Sequence, residues 1–377
     1  MNAGTLIATI LRHDRKVASY KIALIRSIND VVLGFPHISQ GSRSIALPLK
    51  TLARFWVAYY WPFVNPDQAI LQSQQSPGKE DISFRPVLTR LRREWEKLVG
   101  MSRSSDGYFL VGEFLSEIRM RAYPKELSGA FSDAIRSITI AIQQPIRYAG
   151  HDQYSVFAPP HRWKNIQTSV PSVTCLPETQ ENDLCVLITA ELWSNFCELS
   201  LWIEALSIHE WCLFTENLAG IERGLIYSLL TDRPDNRRPL TWERNQVEIL
   251  MIEGAIFSCP WTGKKLSSIN YDLDHLLPIS VYPINELWNL VPSDRQFNQH
   301  VKRDRLPGIE RLSVAVPRLQ NTYQHYLGSP DMAPALMQDA WLRFGQRNSA
   351  EELPGELTLS IIEYLQLMAS VRNVRVF

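Results

Sequence analysis

Apolar positions in the first part of the chain recur at spacings of three and four. Val17, Tyr20, Leu24, Ile28, Val31 and Phe35 make one such stripe, closed by Gly34-Phe35-Pro36, as in an amphipathic helix followed by a stop signal. The same period predicts helices over residues 84–99, 108–122 and 128–143, after a polar loop at 67–81. Residues 47–64 are apolar and dense in aromatics, among them Phe55, Trp56, Tyr59, Tyr60, Trp61 and Phe63. Lys50 and Arg54 interrupt that run and Pro62 sits near its end, so it reads as a buried helix rather than a membrane anchor. From 151 to 183 the pattern turns Pro-rich and β-branched, and 154–157, 167–170 and 184–188 are strand candidates for a small sheet. Helical spacing returns over 190–214, 242–253, 334–344 and 357–370. The fold class is therefore mainly α with a small mixed α+β part.

The most specific signal lies between 257 and 307. Residues 269–273 read as a short strand, 281–286 as a loop and 287–291 as a returning strand. Ser293-Asp294-Arg295-Gln296 fits the capping box S-x-x-Q, which opens a helix that Pro307 stops. This frame carries Tyr271-Asp272-Leu273-Asp274-His275-Leu276-Leu277-Pro278, then Asn289-Leu290-Val291-Pro292, then Asn298-Gln299-His300-Val301-Lys302. Pro278 follows His275 by three residues, and Asn298 follows Asn289 by nine. An acidic residue before a His, Pro three after it, Asn-Leu on the returning strand and Asn or His nine further on resembles the pattern of the HNH endonuclease family. The resemblance implies a ββα-metal nuclease module embedded between helices. The chain then divides into a helical N-terminal domain at 1–150, a mixed region at 151–250, the module at 251–308, and C-terminal helices at 309–377 that pack on it.

Phosphodiester hydrolysis needs an activated water and something to neutralise charge on the phosphate and the leaving oxygen. His275 is the candidate base, because an imidazole of ordinary pKa is largely neutral at pH 7. Asp274 and Asn298 offer two oxygens, which suits a hard divalent cation, Mg²⁺ or Mn²⁺. Adjacent strand residues face opposite sides, so Asp274 and His275 share a site only if the strand ends there. On a regular helix Asn298 and Lys302 share a face, while His300 lies about 200° round from Asn298. His300 is the alternative ligand in place of Asn298, and Asp272 a lesser one. The resemblance further implies that Asn289 avoids the metal and pins the loop that orients the His, and that Lys302 meets a flanking phosphate. Arg295 and Arg303 add positive charge for phosphate around the same helix.

One departure from the family stands out. Many members bracket the site with two Cys-x-x-Cys pairs, but this segment has only Cys259, so no structural zinc is expected. The module must lean on flanking elements, with Trp261, Leu266, Trp288, Leu290 and Phe297 as core contacts. The histidines outside the motif, His13, His37, His151, His161, His209 and His325, show no metal-ligand spacing and read as structural or surface groups.

Lys+Arg and Asp+Glu number 39 each, for a formal net charge of zero. Nucleic-acid binding therefore falls to local patches or a partner, since phosphate affinity comes mainly from basic charge. Candidate patches are Arg85, Arg90, Arg92, Arg93 and Lys97; Arg233, Arg237, Arg238 and Arg244; and Arg12, Arg15, Lys16, Lys21 and Arg26. The five cysteines form no close pair, which fits a reducing cytoplasm, and no secretory signal is expected. The expectation is a DNA endonuclease whose N-terminal region selects substrate or a protein partner; the resemblance suggests a role in prokaryotic restriction or antiphage defence. Cutting both strands takes a homodimer or two successive nicks. RNA is the rival substrate. An adaptor or sensor with a silent nuclease fold is the rival from another class.

Overall fold

A computed structural model of the chain describes residues 3–39, 44–74, 80–232, 240–282, 284–346 and 349–377. It holds two compact units, one of Met1–Leu115 with Met120–Asp232 and one of Ser116–Arg119 with Arg233–Phe377.

In the first unit, helices accompany a four-stranded sheet of β1 (Ser44–Pro48), β2 (His161–Arg162), β3 (Val173–Cys175) and β4 (Leu184–Thr189), in the order β2-β4-β1-β3. β1 runs antiparallel to β4 and parallel to β3. The expected boundary at residue 150 thus cuts through one sheet, because β1 has its partners on both edges between residues 173 and 189. β1 hides at the front of the apolar run from 47. The run switches from strand to helix at Pro48, which cannot donate to a ladder but suits a helix start.

Helix Leu49–Tyr60 and the 3₁₀ turn Trp61–Val64 follow. Trp56, Tyr60, Trp61 and Phe63 are wholly buried. Tyr60 packs on Phe84 and Trp211 with ring centroids 5.0 and 5.2 Å away. A fully buried Phe contributes about 1.5–3 kcal/mol, so this cluster is a main source of the unit's stability. Among the described residues no helix is long and apolar enough to cross a membrane.

Two strand expectations fail here. Residues 167–170 lie largely in helix Trp163–Ser169, whose Trp163 and Ile166 bury together with Ala46 and Cys185. Residues 154–157 form a turn: Tyr154 adopts φ 56°, and its N–H donates to the Arg147 carbonyl at the end of helix Lys125–Tyr148.

The basic stretch at 85–97 is partly internal. Buried Arg85 pairs with Asp81 and donates to the Phe63 and Ile70 carbonyls, while buried Arg92 donates to the Trp61 carbonyl and pairs with Glu96. Arg233, Arg237 and Arg238 lie outside the described residues. Arg244, from the same group, stacks over Tyr271 at 5.7 Å from its ring centroid.

In the second unit β5 (Tyr271–His275) pairs antiparallel with β6 (Leu290–Asp294), Tyr271 opposite Asp294 and His275 opposite Leu290. Helix Ile309–Gly328 packs on this pair, and its Tyr323 and Tyr326 hydroxyls donate to the Trp288 and Leu290 carbonyls at 2.6 and 2.9 Å. Pro317 inside it disguises a good apolar stripe of Leu312, Ala315, Leu319, Tyr323 and Tyr326. The fully buried Trp288 meets Phe344 of helix Met332–Phe344 and Tyr364 of helix Leu353–Val371 edge-on. Around Cys259, backbone bonds close a hairpin: Cys259 N to Lys264 O, Gly263 N to Cys259 O, and Leu266 N to Phe257 O, each 2.9 Å. Gly263 takes φ 72° at its tip. Trp261 on this hairpin packs against Phe377, which also meets Phe297.

Candidate active site

β5 ends at His275, where two adjacent side chains can stop facing opposite sides. Asn289 fixes the departure. Its Oδ1 accepts from Leu277 N at 2.7 Å and its Nδ2 donates to Leu277 O at 3.1 Å, while Leu276 N donates to the Asn289 carbonyl. A wholly buried amide thus takes the place of one more rung of the ladder.

His275 Nε2 lies 2.8 Å from Asn285 Oδ1. With that oxygen as acceptor, the ring proton sits on Nε2 and the lone pair on Nδ1, which leaves Nδ1 as the basic atom. Burial lowers the His275 pKa below its ordinary value and Lys302 adds to this, against the opposing pulls of Asn285 and Asp274. The imidazole is therefore neutral at neutral pH, the state a base needs. Asn285 sits ten residues beyond His275 in a loop without periodicity, and no sequence signal singles it out. Replacing it with Leu is expected to slow turnover about 10- to 100-fold, the usual cost of losing a partner that orients an imidazole. Nitrogen shifts of His275 should then show a changed tautomer in a chain that melts normally.

The helix after β6 starts one residue later than the capping box suggests. Ser293 stays in the ladder opposite Asp272, and Asp294 caps instead, accepting from Phe297 N at 2.9 Å. Hydrogen bonding from Lys264 holds the Asp294 carboxyl below its usual pKa. One short turn, Arg295–Phe297, leads into a π-helical turn, Asn298–Lys302, closed by Arg303 N on the Asn298 carbonyl at 2.8 Å. The helix ends there, well before Pro307. Such π turns occur often at functional sites.

That turn rearranges the expected cations. Lys302 is 1 % exposed and not at the surface: its Nζ donates to Asp274 Oδ1 at 2.9 Å and to the His275 carbonyl at 2.8 Å. Arg295 pairs with Asp272 Oδ1 and donates to the Tyr271 and Ile269 carbonyls, with its side chain still 39 % exposed. Lys302 therefore presents no open charge to a phosphate. Gln299 takes the other Asp272 oxygen at 3.0 Å, so the carboxylate of this lesser alternative ligand is already engaged. Arg303 remains exposed, at φ 54°, and His300 is exposed too.

Asn298 opens the π turn and is half-buried, and its amide makes no side-chain hydrogen bond among the described residues. Asp274 is 6 % exposed, and its Oδ2 accepts from the Ser293 hydroxyl at 3.5 Å. Among the described residues no three His, Cys, Asp or Glu side chains gather into a metal-holding group. A carboxylate and an amide oxygen suit a hard cation that keeps most of its waters, and Lys302 is the one residue that opposes it.

A strand ending in Asp-His, a pinned loop, a returning strand and a short helix follow one another here, and residues 259–308 match the family model described as HNH endonuclease. Residues 1–230, more than half of the chain, match the model described as a domain of unknown function, DUF8808, and the protein belongs to that family. Among curated proteins and solved structures nothing matches.

Proposed function

We propose that the protein is a metal-dependent endonuclease that hydrolyses phosphodiester bonds in DNA. The observation that carries this reading is the His275–Asn285 pair at 2.8 Å at the end of β5; with the amide oxygen accepting from Nε2, Nδ1 is the basic nitrogen. His275 takes the proton of the attacking water. Asn289 keeps the imidazole in place by holding Leu277, and Asp274 with Asn298 would hold Mg²⁺ or Mn²⁺. The cation supplies Lewis-acid stabilisation of the phosphate and the leaving oxygen when bound. Exposed Arg303 and the half-exposed Arg295 would meet flanking phosphates.

The DUF8808 region selects the substrate or a protein partner, and a role in prokaryotic restriction or antiphage defence follows by analogy with the module. Work in a reducing cytoplasm is supported by five unpaired cysteines, four of them buried.

The test is cleavage of supercoiled plasmid and of structured RNA with Mg²⁺ or Mn²⁺, against EDTA. DNA nicking that EDTA abolishes is expected. Asn298→Ala is expected to need at least about 10-fold more metal for half-maximal rate, as for a lost ligand of a weakly held ion. Preference for RNA would change the substrate. Inertness toward both would favour the adaptor reading.

A further inference from the structure

Among the described residues Lys302 is the one buried lysine, and it sits on the carboxylate proposed to bind metal. An ammonium is a compact charge that is costly to bury without a partner. Here its partners are Asp274 Oδ1 and the His275 carbonyl, the two groups that end β5. Lys302 ends the π turn that Asn298 begins. The ammonium therefore occupies one of the two proposed ligands.

We infer that Lys302 sets the divalent-cation affinity of this site: ammonium and metal compete for Asp274, and a nucleic-acid phosphate relieves the competition. The inference rests on the nuclease reading above. A single carboxylate cannot neutralise a lysine and a divalent ion together, and like charges at such separations repel strongly in a buried setting. A phosphodiester brings the missing negative charge, which both cations can share. Metal and nucleic acid then bind cooperatively, and linkage requires each to tighten the other by the same factor. The site thereby spares free metal and fills when substrate arrives.

The experiment is Mn²⁺ binding to the full chain, followed by electron paramagnetic resonance, with and without a short DNA duplex. A His275→Ala background keeps the duplex intact. Duplex should tighten Mn²⁺ at least about 10-fold, within the usual range of coupling between sites. Lys302→Met should bind Mn²⁺ at least about 10-fold more tightly without DNA and gain little more from it. Lys302→Gln can still donate to Asp274 and to the His275 carbonyl, and carries the test if the Met variant does not fold.

Unchanged or weaker Mn²⁺ binding by a folded neutral variant overturns the inference, as does a parent whose Mn²⁺ affinity ignores the duplex. Asp274→Asn separates the two levels. If it binds Mn²⁺ like the parent, or if no Mn²⁺ binds at all, the nuclease reading fails. If Asp274 is needed but Lys302 is not opposed to the metal, only the competition fails.

Discussion

Replacing His275 with Ala is expected to slow nicking of supercoiled plasmid at least about 100-fold, the contribution of a positioned general base. The loss should be one of chemistry and not of fold. The backbone at the strand exit is held by Asn289 through Leu276 and Leu277, and Lys302 bonds to the His275 carbonyl, so none of these contacts needs the imidazole. Only the Asn285 side chain loses a partner, and it is not fully buried. Single-turnover cleavage at saturating DNA and metal isolates the step, with thermal melting as the control. Nicking at the parental rate by the Ala variant would remove His275 from the mechanism.

The parts of the site read most easily from sequence are those set by short spacings. Asp274-His275 at a strand end and Asn289 on the return are fixed by a two-residue period and a Pro, and both leave a local trace. Lys302 left a misleading one. A regular helix puts it on the Asn298 face as an exposed charge, whereas it ends a π turn and lies buried. No side-chain pattern announces such a turn, because the inserted residue changes hydrogen bonding and not composition. Asn285 is a tertiary fact, made by folding a loop back on a strand end.

The fold shows the same division. Helices with long apolar stripes, such as Tyr20–Gly34 and Leu353–Val371, are legible, whereas β1 depends on partners more than a hundred residues away. A five-residue strand with four buried positions has no period of its own to read.

The loop that carries Asn285 depends on a buried ion-pair network, and Arg343→Met tests it. Arg343 pairs with Glu286, both nearly inaccessible, and Glu286 also accepts from Trp288 Nε1. Beside it, Asp339 accepts from the two terminal guanidinium nitrogens of Arg119 and from the Leu287 N–H. Glu286 and Leu287 directly follow Asn285, so this network sets where the His275 partner stands. Losing one partner of such a pair leaves an uncompensated buried charge and costs about 3–5 kcal/mol. A fall in melting temperature on the order of 10 °C is expected for a unit of this size. Adding Glu286→Gln to Arg343→Met removes the stranded charge and should recover much of the loss. At temperatures where both forms are folded, the single variant should also turn over more slowly, because Asn285 no longer has a fixed seat. A single variant that melts like the parent would mean that the network holds no net stability, and that the loop is seated by Asn289 and Trp288 alone.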